Sequence, residues 1–198
     1  MTLILASASV GRLAMLHAAG VEAEAHVSAV DEDSIKAGLV NEGANARNIA
    51  DALAEAKAVK VSRKHPDDLV LGCDQILVTA GGDLLDKPDN PDAAKAHLKT
   101  LSGSTHRLIS AAVICERGIP VWRIVDTAQM TMRVLSDMFI AQYVEKYWEH
   151  IRHCVGCYRI EAEGAQLFSS VSGSQFTIIG LPLLPVLDYL RLRGNLPT

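Results

Sequence analysis

A chain of 198 residues, 49% apolar and 21% charged, can build one good core or two lobes sharing a sheet, and its composition is that of a soluble globular protein. Its net charge of −4 argues against a duplex nucleic-acid binder, which carries a basic surface, yet allows a small anionic ligand held by a few local cations. No apolar run approaches the roughly 20 residues that cross a bilayer, and the N-terminus lacks the basic region of a signal peptide, so no membrane association and a cytoplasmic location are expected.

In chain order, Leu3–Ala6 is a short β run, followed by Ser7-Ala8-Ser9 and a helical stretch that Gly20 closes. Ser9 suits the N-cap, and Leu13 and Leu16 face inward. A strand, a turn of small residues and a helix start make a natural anion site, because free amides and the helix dipole point at the ligand. Arg12, in the first turn, opposes that dipole; it is either a surface residue or a partner of the same anion. Val27 to Val30 reads as another strand. It runs into Asp31-Glu32-Asp33, which is a solvated turn or, beside a phosphate site, a set of hard oxygen ligands for a divalent cation. From Asn45 to about Lys64 an alanine-rich helix carries Ile49, Leu53 and Ala56 on one face. Lys57 falls one residue off that face, where a lysine commonly snorkels.

Leu69 to Cys73 is wholly apolar and reads as a buried strand that ends by delivering Asp74, with Gln75 behind it. Ile76 to Val78 lead to Gly81-Gly82, a two-residue hairpin signal. The chain returns through Leu84 and Leu85 to Lys87, just ahead of Pro88. Arms of similar length place Lys87 back near Asp74. An acid beside a cation at the end of a buried strand is how a catalytic carboxylate is often held; the plainer reading is an Asp that caps a turn. Asp89-Asn90-Pro91-Asp92 starts a helix that runs to Leu101 and stops at Ser102-Gly103. Arg107–Cys115 and Pro120–Leu135 are long β runs broken at Arg117-Gly118. Ser136 caps a helix with Ile140, Tyr143, Val144, Tyr147, Trp148 and Ile151 at helical spacing, a core or subunit face. Gly156–Ile160, Gln166–Val171 and Phe176–Ile179 are strand candidates, and Leu181-Pro182 opens a last helix that ends near Gly194. Strands outnumber helices and several adjoin directly, which fits a mixed sheet with flanking helices in a single domain.

Cys73 and Cys115 lie in apolar runs, where a free thiol acts as a small hydrophobe. Cys154 and Cys157 form a C-x-x-C with His150 and His153 just upstream, which is a zinc site, a redox pair or unligated side chains. All four groups crowd into eight residues, tighter than the usual paired spacing of a zinc site.

Several of these pieces, taken in order, resemble the Maf family of nucleotide pyrophosphatases. They are Leu3-Ile-Leu-Ala-Ser-Ala-Ser9 with Arg12, Val30-Asp31-Glu32, Ala54-Glu-Ala-Lys57-Ala58, Gly72-Cys-Asp74, Lys87-Pro88, Leu101-Ser-Gly103 with His106, and Val171-Ser-Gly173 leading to Gly180-Leu-Pro182. Each is weak alone; the ordered set covers nearly the whole chain. The resemblance implies an α/β (α+β) fold of the Maf/inosine-triphosphatase-like type, a curved mixed sheet with flanking helices in two lobes around a cleft, and often a homodimer. It implies hydrolysis of a nucleoside triphosphate between its α and β phosphates with a divalent cation, magnesium or manganese. The family's carboxylate base falls on Asp74, its phosphate-loop residues on Ser7 and Arg12, its acidic metal or water ligand on Glu32 (with Asp74 the second metal ligand), and its lysines on Lys57 and Lys87. The positions that sort bases fall on Gln75 and Glu161, the pattern of the branch acting on 7-methyl-GTP; the dTTP and UTP branch has Thr and Gln there. The loop departs from the family: Val10 replaces a proline, Gly11 the next residue, and Leu13 a second arginine, so one phosphate-binding cation is missing. A nucleotide-binding regulator of cell division with little turnover is the alternative of another class. A phosphatase with Asp74 as covalent nucleophile would want a second acid two residues on, where Ile76 stands.

Overall fold

The computed structural model describes residues 3–197. Its elements run β1 (Leu3–Leu5), α1 (Val10–Ala18), β2 (Ala23–Ala25), α2 (Glu32–Asn41), α3 (Ala46–Ser62), β3 (Leu69–Val78), β4 (Leu84–Leu85), α4 (Pro91–Leu101), β5 (Thr105–Glu116), β6 (Ile119–Met132), α5 (Asp137–Ile151), a 3-10 turn (Glu163–Leu167), β7 (Phe168–Ser172), α6 (Gln175–Ile179) and α7 (Leu183–Leu192). The strands form one mixed sheet in the order β2-β1-β3-β5-β6-β7, with β4 paired to β3. β1 lies parallel to both β2 and β3, while β4 and β7 run antiparallel to their neighbours. This is the expected mixed α/β fold.

Two compact units are present, each with its own core. One comprises the chain up to Gln75, Ser110–Asp126 and the chain from Gly180; the other comprises Ile76–Ile109 and Thr127–Ile179. In the second, α4 packs on α5 over Leu98, Leu101, Leu108, Met130, Ile140 and Val144. In the first, β1 and the Leu69–Asp74 part of β3 are buried, with Val61 of α3 packed against Ile4 and Val70, so their near-continuous Leu, Ile and Val content needs no polar alternation.

The local signals place the helices. Ser9, Asn45, Asn90 and Ser136 each accept the backbone N–H three residues on, and Pro91 sits at the first helical position. Arg117 and Gly118, with φ of 52° and 77°, make the two-residue turn from β5 to β6.

Elsewhere the fold corrects the reading. Val27–Val30 is not a strand: parallel pairing with β1 is satisfied by Ala23–Ala25, Val27 is 69% exposed, and Ala29 has a φ of 47°. Asp31 is not part of a free turn, since its carboxylate caps α2 by accepting from Ser34 N. The connection after β3 spans Thr79–Asp83 and not two glycines, closed by Thr79 N donating to Asp83 O at 2.9 Å and Asp83 N to Thr79 Oγ1 at 3.1 Å. Gly156–Ile160 forms turns that fold on themselves, with Cys157 N donating to Cys154 O at 3.0 Å. Gln166 belongs to the 3-10 turn, and only Phe168–Ser172 extends as strand. Phe176–Ile179 is helical, in α6, despite its β-branched content, because the chain there finds no strand to pair with and Ile178 N bonds to Ser174 O.

Candidate active site

Two stretches distant in sequence build a charged constellation in the first unit. The loop after β1 is the first. Ser7 Oγ accepts the amide of Ser9 at 3.2 Å and Ser9 Oγ that of Arg12 at 3.3 Å, so the two hydroxyls shape the turn from within. The Arg12 guanidinium folds back over it. Nε donates to Gly180 O at 2.8 Å, and Nη1 donates to Ser7 Oγ at 3.2 Å and to Cys73 O at 3.0 Å. Gly180 is required here: its φ is +110°, and a Cβ would lie 3.0 Å from Arg12 Nη2. Arg12 is therefore neither a plain surface residue nor a free cation. It ties the phosphate-type loop to the backbone of the residue preceding Asp74.

The second stretch is the crossing of α3 on β3. At Gly72 the two backbones nearly touch, for a Cβ there would stand 2.2 Å from Ala54 O and 2.7 Å from Ala58 N. Asp74, two residues on, points to the same face of the strand. Lys57, between Ala54 and Ala58, lies directly above it, and Lys57 Nζ donates to Asp74 Oδ1 at 2.6 Å. The same nitrogen lies 2.7 Å from Glu32 Oε2 in the first turn of α2. Lys57 and Asp74 are only 7% and 6% exposed. Burial raises the Asp74 carboxyl above the ordinary range, opposed by Lys57 and Arg12 and reinforced by Glu32. From β6, Arg123 pins α3 by its contacts with Asp51 at 2.6 Å and Glu55 at 2.7 Å.

The sequence reading is corrected at three points here. β3 does not end at Cys73; it runs through Asp74 to Val78. The cation bonded to Asp74 is Lys57, and β4 stops at Leu85, short of the exposed Lys87. The buried face of α3 runs through Leu53, Ala54, Lys57, Ala58 and Val61, so Lys57 is on it and Ala56 is off it. Gln75 is half-buried, with Nε2 donating to Ser110 Oγ at 3.0 Å.

The second unit carries the other two candidates. Lys87 and Glu161 both lie within electrostatic reach of Cys154. Glu161 is exposed and makes no ion pair among the described residues, whereas Arg159 pairs with Glu163 at 3.0 Å. Burial pushes the Cys154 thiol up to about 11 and that of Cys157 to about 12, which removes thiolate character at neutral pH. Cys157 Sγ lies 3.7 Å from His97 Nδ1, a neighbour that spacing did not reveal. Among the described residues no three His, Cys, Asp or Glu side chains are grouped to hold a metal ion. His106 is a core residue: Nε2 is 2.7 Å from Tyr158 OH, and burial lowers its pKa to about 4, leaving it neutral at pH 7.

Comparison with known proteins decides the family. Residues 2–193 match the family described as "Maf-like protein". The chain belongs to the Maf family. A "Nucleoside triphosphate pyrophosphatase" of Ruegeria pomeroyi is 52% identical over 196 residues, covering 99% of this chain and 98% of that one. Proteins of the same name from Sphingopyxis alaskensis and Caulobacter vibrioides are each 50% identical, over 197 and 192 residues, covering 100% and 97% of this chain and 100% and 96% of theirs.

For this Maf chain the structure supplies reasons that sequence spacing could not. Gly72 is the close approach that sets Lys57 over Asp74, and the Gly180 carbonyl is the anchor of Arg12. The only signal for either was its place in the Gly72-Cys-Asp74 and Gly180-Leu-Pro182 motifs. The Arg12 brace has a measurable consequence. Arg12→Lys keeps the charge, but one ammonium cannot bond Gly180 O, Ser7 Oγ and Cys73 O at once. Stability is expected to fall by about 2 kcal/mol, the cost of leaving such acceptors unpaired. Thermal melts check it; an unchanged melting temperature means that these three bonds do not hold the loop.

Proposed function

We propose that the chain hydrolyses a nucleoside triphosphate between its α and β phosphates, releasing a monophosphate and pyrophosphate, and that it prefers 7-methyl-GTP to dTTP and UTP. The observation that carries the reaction is the convergence of Asp74 and Glu32 on the buried Lys57, next to the loop braced by Arg12. Lys57 and Asp74 form a buried ion pair, which the partly exposed Glu32 carboxylate joins. That is costly for stability alone, and buried ion pairs are weak stabilisers. The names of the relatives agree with the pyrophosphatase part of this reading.

In the mechanism, Asp74 orients a water and takes its proton as the water oxygen bonds to phosphorus and the bond to the bridging oxygen breaks. Its raised pKa makes it a stronger base than an exposed carboxylate. Lys57 and Arg12 balance charge on the phosphoryl oxygens, together with the amides of Val10 and Gly11 ahead of the first intrahelical bond. The donor set suits a hard divalent cation: Glu32 and Asp74, whose carboxylates converge on Lys57 Nζ, are the residues that would hold it, and magnesium commonly takes one or two carboxylates, with substrate phosphates and water completing its shell. Such a cation would neutralise phosphate charge.

Base preference rests on Glu161. Guanine offers N–H donors on its Watson–Crick edge, and a free carboxylate accepts from them. A methylated guanine also carries positive charge, which a carboxylate attracts; a pyrimidine such as uracil presents carbonyl acceptors that it repels. A nucleotide panel with magnesium or manganese, separating pyrophosphate from phosphate release, tests the reaction. The measured kcat/KM is expected to be higher for 7-methyl-GTP than for dTTP and UTP. Glu161→Gln should erode that ratio roughly tenfold or more, the scale of a lost hydrogen bond to a charged group. A wild-type preference for dTTP or UTP overturns the base assignment and leaves the pyrophosphatase reading standing. A regulator that binds nucleotide with little turnover is the second reading, favoured by Val10, 81% exposed where the family has proline, and by Leu13 in place of a second arginine. Binding without release of pyrophosphate across the panel would select it.

A further inference from the structure

Three charged side chains stand close together on the segment after α5, and they are paired unequally. Arg159 Nη2 donates to both carboxylate oxygens of Glu163, at 3.1 and 3.0 Å. Burial raises the Glu163 carboxyl most, but the Arg159 hydrogen bonds, a backbone hydrogen bond and the charges of Arg159 and His150 together hold it below the ordinary range. Glu161 stands between the two in sequence, exposed, with no hydrogen bond or ion pair among the described residues.

The backbone enforces the arrangement. Ala162 N donates to Arg159 O at 3.2 Å, turning the chain back on itself. Gly164 is buried against Arg159, where a Cβ would lie 2.5 Å from its carbonyl oxygen and 2.7 Å from its nitrogen. The turn thus brings Glu163, four residues on, to the Arg159 side chain. Arg159 also feels the charge of Glu161, but it bonds Glu163 alone, so of the two carboxylates only Glu161 keeps its lone pairs open.

We infer that Glu163 is a positioning residue for base selection, holding Arg159 so that Glu161 remains an uncompensated carboxylate available to the base. This rests on the reading of Glu161 as the base-contacting acid. Without Glu163, the Arg159 guanidinium, already within electrostatic reach of Glu161, has its donors free to bond that carboxylate. It would use the lone pairs that a guanine edge needs and cancel the charge that attracts a methylated, cationic base.

The test measures kcat/KM for 7-methyl-GTP and for UTP in the wild type, Glu161→Gln, Glu163→Gln and the double variant Glu163→Gln with Arg159→Gln. Glu163→Gln is expected to lower the 7-methyl-GTP to UTP ratio about two- to fivefold, the scale of one exposed ion pair, while kcat/KM for UTP stays at or above its wild-type value. The double variant is expected to restore the ratio, because the competing guanidinium is gone. An unchanged ratio in Glu163→Gln overturns the inference. So does an equal loss for both nucleotides, which marks a structural role, or a double variant that stays as unselective as the single one. If instead the wild type shows no preference, or Glu161→Gln leaves the ratio intact, the base-contact reading fails first and this inference falls with it.

Discussion

Replacing Asp74 by asparagine is expected to cut turnover more than a hundredfold while leaving the chain folded. Loss of a general base commonly costs a factor of about 10² to 10⁴. The substitution changes charge and not shape. The amide oxygen can still accept from Lys57 Nζ, which now sits 2.6 Å from Asp74 Oδ1, and Glu32 remains 2.7 Å from the same nitrogen. Lys57 is therefore not stranded as a buried, unpaired cation, the situation that makes breaking such pairs so destabilising. Pyrophosphate release with a nucleoside triphosphate, measured beside a thermal melt, checks both halves. A folded Asp74→Asn protein that keeps its activity removes Asp74 from the role of base.

The second large effect is on packing. Gly72→Ala puts a methyl group 2.2 Å from Ala54 O and 2.7 Å from Ala58 N, both backbone atoms that cannot rotate away. α3 has to lift off β3. Overpacking of this kind costs about 1–3 kcal/mol and more where backbone must move. We expect about 3 kcal/mol, or a melting temperature lower by roughly 6–12 °C for a chain of this size. Activity should fall further than stability, because Lys57 lies on the turn that moves, and a shift of about 1 Å at a catalytic group can cost a hundredfold. Gly38→Ala is the control. Gly38 is inside α2 with nothing within 4 Å of an added Cβ, so alanine there should be neutral or stabilise by up to about 1 kcal/mol. If both variants melt alike, the close approach at Gly72 is not what limits α3.

These two residues divide differently between sequence and structure. Asp74 was legible as an acid following a buried apolar run, and its match to the family sharpened that. Its setting was not: the strand continues through it, and its partner comes from α3 instead of the returning hairpin arm. Gly72 was legible only as part of a motif. The reason a side chain is excluded there lies in another element, 14 to 18 residues earlier.

What the sequence by itself determined is what depends on neighbours in the chain. The caps at Ser9, Asn45, Asn90 and Ser136, the proline at Pro91 and the tight turn at Arg117-Gly118 each rest on hydrogen bonds or dihedral limits within three or four residues. The mixed α/β class followed from the run of elements these signals delimit. The tertiary structure alone decided whatever needed a distant partner. A strand exists only where another strand satisfies its amides, which is why Val27–Val30 and Phe176–Ile179 are not strands although their β-branched residues favour it. Charge pairing is likewise a matter of space. Arg12 is held by the carbonyl of Gly180, 168 residues on, and Lys57 reached Asp74 and Glu32 because Gly72 let two backbones close together. A carboxylate gains the properties of a base from burial and from the charges around it, and those arise only once the chain has folded.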